Sequence, residues 1–274
     1  MDVNNSMQEQ QIKDKIKERY GKIALTGTET CCAPTIEFKS GSKSGSSSSC
    51  CSPTDSATVI GYDNKELESI PEASVLGAGC GAPLHFAGAK EGEIVVDLGS
   101  GAGIDAFLSA NKVGQTGKVI GIDMTDEMLE KARRNAKENG YTNIDFRKGD
   151  IEKRIPIDDN SVDLVISNCV INLATNKVDT FREVHRILKQ GQGRMIISDL
   201  VTDKEVQEDS IDSEKWCSCI DGALTKENYL ESIRKAGFQN PEILEEKLYT
   251  QEESDDKVNG NRRISSIIVK AVRN

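Results

Sequence analysis

Residues Ile94-Val95-Val96-Asp97-Leu98-Gly99-Ser100-Gly101-Ala102-Gly103 decide the fold. A β-branched apolar run ends in an acid, three glycines alternate with small residues, and Ile104 to Val113 continues with helical spacing. This strand, turn and helix form the nucleotide-binding βα unit of doubly wound sheets. Glycine at 99, 101 and 103 permits a tight turn and removes the Cβ that would hold a ligand away from the backbone.

Working outward, apolar runs at 118–122, 144–147, 162–167 and 194–199 alternate with helical patterns at 103–113, 125–139 and 176–189. That alternation predicts an α/β Rossmann-like parallel sheet with helices on both faces. The helix at 125–139 is well marked. Thr125 is placed to cap it, Glu127–Lys131 and Glu130–Arg134 are spaced to pair, and Gly140 ends it. Beyond Leu200 an acidic stretch holds Trp216-Cys217-Ser218-Cys219, followed by a helix from Thr225 to Ala236 and strand-like runs at 242–248 and 264–272. This predicts a smaller C-terminal α+β portion packed beside the sheet. Upstream, Met7 to Tyr20 carries apolar residues at 12, 16 and 20, a thin stripe for a helix that docks on something larger. A Ser/Gly tract at 40–49 separates Cys31-Cys32 from Cys50-Cys51, so 28–58 is expected to be mobile. The chain is thus divided into a Cys/Ser/Gly-rich segment at 1–59, a nucleotide-binding domain at 60–200 and a substrate-binding portion at 201–274.

The 274 residues carry a formal charge of −10, which argues against nucleic acid as a partner. Met1 to Tyr20 has no apolar leader core and no run has the length of a membrane span, so a cytoplasmic monomer with no membrane partner is expected. In a reducing compartment the eight cysteines point to thiolate chemistry rather than a disulfide framework.

Three acids sit at strand ends, where ligands of parallel sheets gather. Asp123, twenty residues after Gly103, suits ribose hydroxyls, and Asp150 suits the exocyclic amine of adenine. Asp97, before the first glycine, would repel a pyrophosphate but suits the cationic amino-acid end of a sulfonium cofactor. The pattern favours S-adenosylmethionine over NAD and resembles motif I of class I methyltransferases over roughly 92–200. Gly99, Ser100, Gly101, Met124, Ile151 and Asn168 join the three acids as expected cofactor contacts.

The acceptor is not a matter for a base. His185 shares a helical face with Phe181, Val184 and Leu188, which reads as packing, and nothing obliges His85 to enter the site. Cysteines are better placed. Cys169 follows the fourth strand in Ser167-Asn168-Cys169-Val170-Ile171-Asn172-Leu173, Cys80 lies in a Gly-rich turn, and Cys219 lies in the C-terminal portion. Three thiols from distant places suit one soft centre, whereas the spacings match structural zinc poorly.

The chain resembles the arsenite S-adenosylmethionine methyltransferases over nearly its whole length. The resemblance rests on Arg19-Tyr20-Gly21, the early Cys-Cys, Leu-Gly-x-Gly-Cys-Gly-x-Pro at 76–83, Asp-Leu-Gly-Ser-Gly-Ala-Gly at 97–103, the Cys169 stretch, and Cys-Ile-x-Gly-Ala-Leu at 219–224. It departs at Lys189-Gln190-Gly191-Gln192-Gly193-Arg194, where the family has Lys-Pro-Gly-Gly-Arg, a loop change expected to be silent. The resemblance implies arsenic(III) ligands at Cys80, Cys169 and Cys219, with Cys219 selected over Cys217 by the motif. It implies a redox cysteine at Cys31 or Cys32, arsenite or its thiol adducts as substrate, and an external thiol reductant of the thioredoxin or glutathione type. It leaves Cys50 and Cys51 without a role. Two other functions fit the same residues: a small-molecule C- or O-methyltransferase, and a non-catalytic thiol trap for metalloids.

Overall fold

The computed structural model describes residues 3–27, 52–206, 216–249 and 262–274. Strands β1 (Ile94–Leu98), β2 (Lys118–Asp123), β3 (Ile144–Lys148), β4 (Leu164–Asn168) and β5 (Arg194–Thr202) are the five expected runs. They pair in parallel in the order β3-β2-β1-β4-β5. The chain runs outward from β1 to β3 and then returns to lay β4 on the other side of β1. That reversal opens a crevice beyond the carboxyl ends of β1 and β4, and it brings the glycine turn beside Asn168 and Cys169.

Alternate strand residues feed two cores, as a period of two requires. Val95, Ile166 and Ile196 pack on one face with Phe107 of α5 (Ile104–Val113) and Leu129 of α6 (Asp126–Glu138). Val96, Val165 and Ile197 pack on the other with Phe181 of α7 (Lys177–Ile187) and Tyr229 of α8 (Lys226–Lys235). The buried face of α6 includes Met128, Leu129, Ala132 and Ala136, as its periodicity predicts. Its start differs from expectation: the Thr125 side chain makes no capping bond, and the Thr125 amide instead donates to Asp123 Oδ1 at 2.8 Å. Lys131, expected to pair with Glu127, donates to the Ala24 carbonyl at 3.1 Å and so fastens the N-terminal helix α1 (Val3–Thr26) to α6. Thr225 caps α8 by accepting from the Asn228 amide.

The C-terminal portion does not lie beside the sheet; its strands extend it. β7 (Ile264–Val272) runs antiparallel along the whole of β5, and β6 (Glu242–Leu248) closes the edge. β5 is nine residues long, and without β7 its backbone donors and acceptors would form an open edge. Of the stretch expected to be mobile, 28–51 lies outside the described residues, including both cysteine doublets. Residues 52–58 correct the expectation, because they belong to an ordered helix, α2 (Pro53–Ile60). Ser52 and Asp55 form a reciprocal capping box, Pro53 presets the first turn, and Ala57 and Ile60 enter the core. Two short helices, α3 (Asn64–Glu68) and α4 (Leu84–Ala87), follow on the same face. Among the described residues no helix is long and apolar enough to cross a membrane.

Ser52→Ala removes one half of the capping box. It is expected to lower the unfolding free energy by about 1 kcal/mol in urea titration, and an unchanged midpoint would show that 52–60 contributes nothing to the fold.

Candidate active site

A pocket of about 1090 Å³ opens beyond β1 and β4, between the glycine turn and α1. The turn is held by β2: the Gly99 and Ser100 amides both donate to the Ile122 carbonyl, at 2.7 and 3.0 Å. Asp123, ending β2, accepts from the Gly101 amide at 3.0 Å as well as from Thr125. Asp150, after β3, receives the Lys13 ammonium at 3.0 Å on Oδ2 and the Glu152 amide at 3.0 Å on Oδ1. Asp97 is buried and its Oδ2 has no hydrogen-bond partner. All nine residues expected to contact a cofactor line this one pocket.

Asp105, in the first turn of α5, is a fourth acid here. Its Oδ2 accepts from Tyr62 Oη at 2.8 Å and Asn168 Nδ2 at 3.4 Å, while its buried Oδ1 has no partner. Burial pushes the Asp105 carboxyl up to about 6, opposed by the hydrogen bonds from Tyr62 and Asn168, and burial with the charges of Asp105 and Asp123 pushes Asp97 well above the usual carboxylate range. Burial also raises Asp123. Buried carboxylate oxygens without partners are costly, and a cationic group in the pocket would relieve them.

The thiols approach from separate elements. Asn168 accepts from the Cys80 amide at 3.0 Å and donates to the Gly81 carbonyl at 2.7 Å, and Ser266 of β7 donates to the Cys80 carbonyl at 2.6 Å. Cys169 sits at φ +59°, in the left-handed region that β-carbons disfavour, and its amide donates to the Ser198 carbonyl at 2.8 Å. The sulfurs of Cys80 and Cys169 and a carboxylate oxygen of Asp199 all lie within 4.8 Å of one another, in the buried end of the site. Cys219 is likewise left-handed, at φ +65°, and its thiol donates to the Cys169 carbonyl at 3.0 Å. Only one other non-glycine residue among those described has positive φ, so the strain concentrates on these two cysteines. Cys217 is also buried, and its carbonyl accepts from Tyr20 Oη at 3.4 Å.

Residues 89–237 match the family model described as a methyltransferase domain. The chain is 39% identical over 237 residues to an arsenite methyltransferase of Halobacterium salinarum, a match covering 85% of this chain and 59% of that protein. It is 35% identical over 245 residues to an arsenite methyltransferase of Aquipseudomonas alcaligenes, covering 86% of this chain and 64% of that one. Among solved structures it resembles an arsenic(III) S-adenosylmethionine methyltransferase of Chlamydomonas reinhardtii, with 34% identity and a TM-score of 0.63 over 78% of this chain and 71% of the other. The chain belongs to the arsenite methyltransferase family. It spans about three fifths of the length of the two curated relatives.

Within this family member, Asn168 does more than its expected part: it faces the pocket and also ties down the loop that carries Cys80. His85 pairs with Glu66 on the outside of the fold and His185 packs edge-on against Phe238 at 5.0 Å, so neither histidine enters the pocket. Four side chains of the site went unread in the sequence. Asp105 had a signal, since an acid two residues past the last glycine must point back at the turn, and Asp199 had one as a lone acid in an apolar strand. Lys177 and Lys13 carry no such signal, because their burial is decided by the folded chain. Lys177 Nζ donates to the Ala174 carbonyl at 3.1 Å; burial lowers it to about 8, opposed by the charge of Asp199. Burial raises Asp199 to about 7, opposed by Lys177 and by bonds from the Asn172 amide and Tyr229 Oη at 3.0 and 3.1 Å.

An acid whose folded pKa is raised contributes stability at low pH that is lost as pH climbs through that value. For Asp105 the window runs from its ordinary 3.8 to about 6. Asp105→Asn lacks this loss, so its stability relative to the wild type is expected to rise by on the order of 1 kcal/mol per pH unit across that window. Urea titrations at pH 4, 5 and 6 check it, and a constant difference would show that Asp105 does not titrate there.

Proposed function

We propose that this chain methylates trivalent arsenic from S-adenosylmethionine, with arsenite or its thiol adducts as substrate and methylarsenite as the substrate of a second round. The reading is carried by the approach of the Cys80 and Cys169 sulfurs to within 4.8 Å, with Cys169 also lining the pocket that Asp97 borders. Soft thiolates select soft centres. Cys219 is the third ligand in this reading, and its thiol leaves the Cys169 carbonyl when it binds. Each thiol that binds arsenite gives its proton to a departing hydroxide, so three thiols release three waters in all and no separate base is required. Three-coordinate arsenic keeps a lone pair that carries no proton, so the protein's contribution is positioning and electrostatics.

S-adenosylmethionine supplies, when bound, an electrophilic methyl group on a sulfonium. The unpartnered oxygens of Asp97 and Asp105 suit its cationic end, Asp123 its ribose and Asp150 its adenine amine. Gly99, Ser100, Gly101, Met124, Ile151 and Asn168 complete the surroundings. Transfer of the methyl cation to the lone pair takes arsenic formally from three to five; attack of the Cys31 or Cys32 thiolate on the Cys80 sulfur then forms a disulfide and leaves the As–S electron pair on arsenic, so that methylarsenic(III) stays bound to Cys169 and Cys219. An external thiol system of the thioredoxin or glutathione type then resets those cysteines. Such a cycle belongs in the cytoplasm and needs no second copy of the chain.

Incubation with arsenite, methyl-labelled S-adenosylmethionine and a thiol is expected to yield labelled methylarsenicals, and Cys169→Ser is expected to lower the rate at least about 100-fold. Wild-type turnover in Cys169→Ser would sink the ligand set. Stoichiometric arsenic binding without turnover would mark the chain as a metalloid trap.

A further inference from the structure

Lys13 is 6% exposed, an unusual state for a lysine. Its ammonium contacts three carboxylates: Glu152 at 2.7 Å, and Asp150 and Glu9 at 3.0 Å each. Glu152 is fixed from its other side, since its Oε1 accepts from Thr175 Oγ1 at 2.7 Å and the Asn176 amide at 2.6 Å. The Lys13–Glu152 pair therefore ties α1 to the loop before α7. Asp150 hangs between Lys13 on one oxygen and the Glu152 amide on the other, which sets both the rotation and the tilt of its carboxylate. Lys13, Ile16 and Tyr20 recur on one face of α1, and all three line the pocket together with Asp150, Ile151 and Glu152.

We infer that Lys13 is a positioning residue for base recognition: it aims the Asp150 carboxylate so that the pocket accepts a 6-amino purine and rejects a 6-oxo one. The inference rests on the proposed placement of adenine against Asp150. A carboxylate is acceptor-only, so it pairs with the exocyclic amine of adenine and opposes the oxo group of hypoxanthine. It discriminates only if it cannot turn away. Without the ammonium, Asp150 would stand beside the Glu152 and Glu9 carboxylates without the cation that bridges all three, and repulsion would swing it off the base. Glu152, with a side chain 7% exposed, is little screened by water, while Asp150 and Glu9 are partly open to it.

The test compares binding of S-adenosylhomocysteine and S-inosylhomocysteine to the full chain by calorimetry, in the wild type, Lys13→Met, Lys13→Arg and Asp150→Asn. The wild type is expected to prefer the adenosyl ligand at least about tenfold. Lys13→Met should bring the ratio to within about threefold of unity, and Lys13→Arg, which keeps the cation, should restore most of it. Because a partly unfolded variant loses both ligands equally, the ratio stays readable even where Lys13→Met weakens the fold. An unchanged ratio in Lys13→Met overturns the inference and leaves Lys13 as a fastener of α1. If Asp150→Asn keeps the wild-type ratio, the adenine placement fails and the inference fails with it. No binding of S-adenosylhomocysteine by the wild type would overturn the cofactor reading itself.

Discussion

Val170 packs against the bare Cα of Gly99, and that contact joins the two halves of the site. A Cβ at position 99 would fall 2.3 Å from Val170 Cγ2, and Gly99 already has φ +69°, where side chains are disfavoured. The turn after β1 and the loop after β4 approach one another because this residue has no side chain. Ser167 reinforces the seam by donating to the Leu98 carbonyl at 3.0 Å. Cys169 lies between Ser167 and Val170, so its left-handed backbone and its place at the pocket wall follow from the same packing. A glycine that reads as a ligand-binding feature is therefore equally a condition for where the nearest thiol sits.

Around that seam the protein places charge where an apolar core would be more stable. Asp97, Asp105 and Asp199 are buried, and each has a carboxyl raised by burial. Among the described residues, Asp199 has a buried cation near it, Lys177. The other two leave one oxygen each without a partner. Local rules broken in this way, in an otherwise consistently packed fold, are the mark of a binding site. A cation that occupies the pocket stabilises the folded chain by the same free energy that binds it, so ligand affinity and fold stability are linked here.

The N-terminal helix couples the parts at longer range. Lys13 reaches the acids after β3, Tyr20 reaches the Cys217 carbonyl, and the Ala24 carbonyl accepts from Lys131 of α6. One helix thus touches the pocket, the cysteine-bearing C-terminal portion and the outer helical layer. Its apolar stripe buries Ile16, Ile23 and Ala24 in one cluster with Met128, Cys169 and Cys219, and ionic and hydrogen-bonded contacts add to that packing. Such anchoring depends on side chains whose partners lie far away in sequence, as with the 137 residues that separate Lys13 from Asp150.

Periodicity and turn chemistry were enough to read the sheet-forming runs, the glycine turn and the strand-end acids, because each of these is decided by residues within about one element's length. The same local logic placed Cys169 at the end of β4 and found the caps of α8. It misjudged 52–58, where a serine-rich composition concealed a capping box, and it set the last two strands beside the sheet, because nothing local says which edge a strand will join. The order of strands, the meeting of Cys80 with Cys169 and Asp199, and the burial of Lys13 belong to the tertiary structure alone. They arise from packing between residues tens to more than a hundred positions apart, and the free energy of such a contact is a property of the pair, not of either stretch of sequence.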